Sequence, residues 1–231
     1  MTLELNRIQA LCFDVDGTLS DTDDLYVEKF LPFFRFAPDP ARAARRFVMW
    51  AESPGTLLMG LPDRLGLDDE LLRWYDWLSR RVSRPLRHFC LISGVRELLT
   101  ALAPRYPMAV ISARDERSTR AFLDHFGLTP FFHVIVTALT AEHTKPYPDP
   151  VYFAARQMGV RPEHCLMIGD TTVDILAGRR AGAQTVGVLC GFGERRELER
   201  CGADLILERT PDLLRALERE EAQFMPHVQT P

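Results

Sequence analysis

The chain has 231 residues, 46% of them hydrophobic and 26% charged, with a formal net charge of -4. That composition excludes wholesale disorder and provides for a sizeable core, as one large domain or one domain carrying an insertion. No basic excess is available to neutralise phosphates, so nucleic acid is not an expected partner.

The N-terminal MTLELNRIQALCF carries Glu4 and no long apolar stretch, which argues against a signal peptide. No run reaches the roughly 18 apolar residues of a membrane span, so no membrane partner is expected. The cysteines, Cys12, Cys90, Cys165, Cys190 and Cys201, form no CxxC pair and are odd in number. That pattern suits reduced thiols in a cytoplasmic protein. Cys12 and Cys165 lie in apolar runs and are expected to be buried.

In chain order the first element is IQALCF (8–13), a short apolar run read as a strand. It runs into DVDGTLSD, with Asp14 and Asp16 two positions apart and Asp21 beyond. Strands are depleted in Asp, and like charges on one face repel. From 21 to 90 the pattern changes. DDLYVEKFLPFFRF, PARAARRFVMWAE and DDELLRWYDWLSRRV read as helices, punctuated by Pro38, Pro40, Pro54, Pro62 and Pro85. This segment is expected to be a helical module inserted after the first strand. Within it Arg42, Arg45 and Arg46 share a helix face, read as solvated. Met49, Trp50, Trp74 and Trp77 are read as its core.

SGVRELLTALA (93–103) is the helix that returns the chain to the sheet. Five more strands are expected at MAVIS (108–112), HVIVT (133–137), CLMIG (165–169), QTVGV (184–188) and ADLIL (203–207). Between them lie the helical patterns DERSTRAFLDHFG, DPVYFAARQMG, TVDILAGRRAG and ERRELERCG, each ending in Gly. Short apolar runs without polar alternation suit strands buried on both faces. Their alternation with helices predicts a parallel sheet covered on its faces by helices. GFG (191–193) lacks the full spacing of a dinucleotide fingerprint, and QFMPHVQTP closes the chain as a loose tail.

Four spots at the C-terminal ends of these strands could carry chemistry, and ligands bind open α/β sheets at that edge. They are Asp14 with Asp16, then Ser112, then Lys145 in HTKPYPDP, then Asp170 and Asp174 in GDTTVD. Each has an ordinary explanation alone: turn capping for the aspartates, a helix N-cap for Ser112, a surface charge for Lys145. Lys145 is unusual in that the 28 basic residues include only two lysines, Lys29 being the other. Together the four describe more. Carboxylates converging on one edge repel unless a cation joins them, and hard oxygen donors suit Mg²⁺. A metal, a point charge, a hydroxyl donor and a carboxylate nucleophile make a site for a phosphoryl group.

The order DVDGTL, Ser112, Lys145, GDTTVD resembles the haloacid dehalogenase-like superfamily of phosphohydrolases, from residue 8 to about 207. It is similar to the phosphoglycolate phosphatase-like and phosphomutase-like branch, whose helical cap follows the first motif. The resemblance implies a Rossmann-like, three-layer α/β/α core over 1–20 and 91–225, an all-helical cap over 21–90 and a tail at 226–231. It implies Asp14 as nucleophile, forming an aspartyl-phosphate, and Asp16 as general acid and then base. Ser112, Lys145 and Gly17 would bind the phosphoryl group. Mg²⁺ would be held by Asp14, the Asp16 carbonyl and Asp170, with Asp174 one shell further out. Relatives often carry Asn two residues after the Ser or Thr. Here that place is Arg114, which could meet a negative group of the substrate.

The expected activity is a Mg²⁺-dependent phosphatase acting on a small phosphorylated metabolite. A phosphomutase of the same fold is the alternative, and Thr18 in DGT leans toward the phosphatase. A dehalogenase lacks an acid at the position of Asp16. A non-catalytic binding protein is a third reading, set against a complete catalytic set.

Overall fold

The computed structural model describes residues 3–21, 31–35, 40 and 89–224, with side chains described to residue 219. The chain divides into two compact units, Met1–Thr22 with Phe89–Pro231, and Asp23–His88. Of the second unit the structure describes a 3₁₀ turn at Leu31–Phe34 and little else. That turn falls within DDLYVEKFLPFFRF, read as a helix; the rest of that segment, the other two helices expected over 21–90, Arg42, Arg45, Arg46 and the four residues read as cap core lie outside the described residues.

The first unit carries one six-stranded sheet, all parallel. Its strands are β1 (Ala10–Phe13), β2 (Met108–Ile111), β3 (Val134–Val136), β4 (Cys165–Gly169), β5 (Gln184–Val188) and β6 (Leu205–Leu207). Their spatial order is β3-β2-β1-β4-β5-β6. The α-helices described in the same unit are α1 (Val95–Leu102), α2 (Glu116–His125), α3 (Asp149–Met158), α4 (Thr172–Arg180), α5 (Arg195–Cys201) and α6 (Asp212–Phe224). The Rossmann-like α/β core is as the sequence predicts. The helix α6 is an addition, and it carries the chain to Phe224, two residues into the segment read as a loose tail.

Side-chain alternation along β1 sorts the core into two layers. Leu11 and Phe13 face a cluster with Met108, Val110, Leu166 and Ile168, closed by Leu98 and Leu99 of α1 and Leu213 and Leu217 of α6. Ala10 and Cys12 face the other, with Ala109, Ile111, Cys165 and Met167, closed by Ala154 and Ala155 of α3 and Ala177 of α4. This second layer is rich in alanine and cysteine. Helix α4 lies so near the sheet that a Cβ on Gly178 would stand 2.6 Å from Thr185 Cγ2.

From β1 the chain winds outward through β2 and β3, then crosses back to lay β4 on the other side of β1. The order reverses between β1 and β4, and such a switch point opens a crevice at the strands' carboxyl ends. Asp14 and Asp170 are the residues that step off those two strands. No helix among the described residues is long and apolar enough to cross a membrane.

Candidate active site

Asp14 leaves β1 with its N–H bonded to the Ile168 carbonyl of β4 at 2.9 Å. The loop after it folds back on itself. The Val15 carbonyl accepts from the N–H groups of Thr18, Leu19 and Ser20 at 3.3, 2.9 and 2.8 Å. Gly17 turns the chain there with φ 66°, a left-handed conformation that other residues rarely adopt. Thr210 Oγ1 donates to the Thr18 carbonyl at 2.6 Å and pins the loop from the far side.

Lys145 comes from the connection between β3 and α3 and is buried. Its ammonium donates to Asp14 Oδ1 at 2.6 Å, Asp174 Oδ1 at 2.6 Å and the Ile111 carbonyl at 3.0 Å. An ammonium has three donors, and all three are used. Burial alone lowers a lysine's pKa, but the Asp14 and Asp174 carboxylates outweigh it and hold Lys145 well above its ordinary value. Burial pushes Asp14 up to about 7, Lys145 offsets part of this, and the charges of Asp174 and Asp16 add to it.

Asp174 sits in the first turn of α4 and works with both oxygens. Oδ1 takes the lysine, while Oδ2 accepts from Thr171 N at 3.0 Å and Thr171 Oγ1 at 2.6 Å. Together these close a capping box at the start of α4. So Asp174 anchors the lysine to the helix start.

Asp170 is held differently. Its Oδ2 accepts from Phe192 N at 2.8 Å. A Cβ on Gly17 or Gly191 would fall inside van der Waals contact of that same oxygen, and one on Gly193 would strike the Asp170 carbonyl. Thus GFG, which is no nucleotide motif, is the cradle of Asp170. Its signal in the sequence is a Gly-x-Gly just past a strand end on the same sheet edge. Gly191→Ala is expected to turn Asp170 away and raise the Mg²⁺ concentration for half-maximal activity by about 10–100-fold. A Mg²⁺ titration of turnover checks this, and an unchanged midpoint would remove Asp170 from the metal site.

Ser112 directly follows β2 and is buried, with its N–H on the Val136 carbonyl at 2.9 Å. It does not cap α2. That place belongs to Asp115, which accepts from Ser118 N at 3.0 Å. Instead Ser112 Oγ accepts from the Arg114 N–H at 3.1 Å. Arg114 forks onto Asp16, Nε to Oδ2 at 2.6 Å and Nη2 to Oδ1. The sequence placed neither partner of this pair beside the other.

Carboxylate oxygens of Asp14, Asp170 and Asp174 lie within 4.8 Å of one another, and all three residues are buried. Three buried carboxylates against one ammonium leave an excess of negative charge, and the donors are all hard oxygens. That set fits a divalent cation of the Mg²⁺ type. His143 also lies beside Glu142 and Asp149, with Nδ1 3.0 Å from Asp149 Oδ1, but that group is at the surface.

A family model described as haloacid dehalogenase-like hydrolase matches residues 11–188. Pyrophosphatase PpaX of Anoxybacillus flavithermus is 30% identical over 218 residues, which cover 91% of this chain and 97% of that protein. Among solved structures, a hydrolase from Pseudomonas syringae superposes with a TM-score of 0.69 at 29% identity, covering 91% of this chain and 98% of its own. A predicted phosphoglycolate phosphatase from Haemophilus somnus 129PT superposes with a TM-score of 0.67 at 21% identity, covering 90% and 97%. The matched span takes in every motif from Asp14 to Asp174, and the chain belongs to the haloacid dehalogenase-like hydrolases, as a phosphatase of that family.

Proposed function

We propose that the protein is a Mg²⁺-dependent phosphatase that passes the phosphoryl group of a small phosphorylated metabolite to Asp14 and then to water. The observation that carries this is the buried cluster in which one ammonium joins Asp14 and Asp174 beside Asp170. The inserted unit is proposed as a cap that selects the substrate. The relative named pyrophosphatase and the neighbour described as a phosphoglycolate phosphatase support a small, strongly anionic substrate. All five cysteines are free thiols, which supports a reducing, cytoplasmic setting.

In the proposed mechanism an oxygen of Asp14 attacks phosphorus. The bond from phosphorus to the leaving oxygen breaks, and its electron pair departs with that oxygen. Asp16 gives a proton to a leaving alcohol, then takes one from the water that attacks the aspartyl-phosphate. The bond between Asp14 and phosphorus breaks, restoring the carboxylate and releasing phosphate. Lys145 fixes the orientation of Asp14 and balances its charge. Ser112 Oγ accepts from Arg114, which leaves its hydrogen to donate to a phosphoryl oxygen. Asp14, Asp170 and the Asp16 carbonyl would hold Mg²⁺, which neutralises charge on the phosphoryl oxygens.

The test is phosphate release from p-nitrophenyl phosphate, pyrophosphate and phosphoglycolate with Mg²⁺ and after EDTA. Turnover is expected to fall at least about 100-fold on chelation and to return when Mg²⁺ is restored in excess. Absence of EDTA-sensitive turnover on every phosphate compound tried would sink the proposal.

A further inference from the structure

Arg114 is built into its place from several directions. Its N–H donates to Ser112 Oγ at 3.1 Å, and its carbonyl accepts from Ala138 N at 3.0 Å. The guanidinium carbon lies 6.0 Å from the centroid of the Phe122 ring. The fork onto Asp16 is mostly withdrawn from water, the two side chains being 12% and 21% exposed. Exposed ion pairs contribute little, but a bidentate pair with restricted solvent access is oriented and strong. This chain uses arginine by default, so the residue type alone says little. Its position against Asp16 is what matters.

We propose that Arg114 recognises the leaving group, and that the preferred substrate is a phosphoanhydride, in which the departing group is itself a phosphate. This rests on the phosphatase reading above. In-line displacement puts the departing oxygen on the side of phosphorus opposite the attacking oxygen of Asp14. Asp16 is the side chain that meets that oxygen. A guanidinium holding both oxygens of Asp16 therefore stands one contact away from the departing atom.

Lys145 cannot serve there, because its three donors are committed to Asp14, Asp174 and the Ile111 carbonyl. A neutral sugar or alkyl alcohol leaving at this point gains nothing from a fixed cation. It also competes for a carboxylate that Arg114 already holds. A departing phosphate carries charged non-bridging oxygens one atom away from the bridge, and the fixed positive charge behind Asp16 attracts them. As the bond from Asp14 to phosphorus forms, the bridging P–O bond breaks. Its electron pair stays with the departing phosphate, and the guanidinium meets that charge. A carboxylate two carbons from the departing oxygen, as in phosphoglycolate, is reached less well.

The experiment compares kcat/KM for pyrophosphate, phosphoglycolate and glycerol phosphate with Mg²⁺, in wild type, Arg114→Gln and Arg114→Lys. Wild type is expected to rank them in that order. Arg114→Gln should lower the ratio of pyrophosphate to glycerol phosphate by about 10–100-fold. Arg114→Lys keeps a cation and should retain most of the ratio. Equal losses on all three substrates would make the pair merely structural and overturn the assignment. So would a Lys variant that loses as much of the ratio as the Gln variant. If Arg114→Gln fails to fold, the wild-type ranking decides: pyrophosphate first supports the proposal, glycerol phosphate first overturns it. Activity with an unmoved ratio sinks only the role of Arg114, whereas no Mg²⁺-dependent phosphate release from any substrate sinks the phosphatase reading as well.

Discussion

Replacing Asp14 by Asn is expected to cut turnover by roughly 10⁴-fold or more while making the metal-free protein more stable at pH 8. The first effect follows from its role, because an amide does not attack phosphorus and a lost nucleophile is seldom replaced. The second follows from charge. Asp14, Asp170 and Asp174 bring carboxylate oxygens within 4.8 Å, with Lys145 as the ammonium that joins two of them. The amide carbonyl of the variant would still accept from Lys145, and the substitution would remove one of the crowded charges. Burial pushes Asp14 up from an ordinary 3.8 to about 7, so the folded state binds an extra proton between those values. Stability from this group is therefore complete below about 4 and is lost as pH rises through about 7. The gain for Asp14→Asn should be small at pH 5 and reach about 1–2 kcal/mol at pH 8, or roughly 2–8 °C in Tm. Scanning calorimetry with EDTA at both pH values checks this. Retained turnover would remove Asp14 as nucleophile, and a lower Tm at pH 8 would refute the charge argument.

The same cluster shows how far a sequence reaches. Asp14, Ser112 and Asp170 were legible because each follows an apolar run, and a run buried on both faces points its end at the ligand edge. The central strands matched those runs closely. At the edges β3 and β6 are shorter than HVIVT and ADLIL, and all of β6 is only half-buried. Edge strands have one neighbour, so apolar content sets their limits less firmly. Helix α6 carries Leu213 and Leu217 at helical spacing, but it follows the last strand, where alternation with strands no longer calls for it. What no spacing could express is which ends become neighbours. Arg114 and Asp16 stand 98 residues apart, and Gly191 meets Asp170 only because β5 lies beside β4. Strand order decides those contacts, and the order reverses at the place where the site forms.

Lys145→Met is expected to abolish activity and, unlike Asp14→Asn, to destabilise the fold. The ammonium is the shared partner of Asp14 and Asp174, and both carboxylates are buried. Removing it leaves them facing each other without a cation, a change that costs about 3–5 kcal/mol when a buried pair is broken from one side. For a chain of this size that is roughly 6–20 °C in Tm. Adding Asp174→Asn to Lys145→Met should recover part of the lost stability, since an Asn carbonyl can still accept from Thr171 N, but none of the activity. The more searching variant is Lys145→Arg. This chain has two lysines among 28 basic residues, so a position that keeps Lys is one where arginine does not serve. The geometry says why. Three acceptors at 2.6, 2.6 and 3.0 Å surround one nitrogen, and a tetrahedral ammonium points a hydrogen at each. A planar guanidinium spreads its donors over three nitrogens and cannot converge them on one point. Lys145→Arg should therefore keep the charge yet lose at least about 100-fold in kcat. Urea midpoints and turnover on pyrophosphate measure both quantities in the same preparations. An arginine variant that matched wild type in both would mean that the site needs only a positive charge, and the convergent three-acceptor geometry would have no part in catalysis.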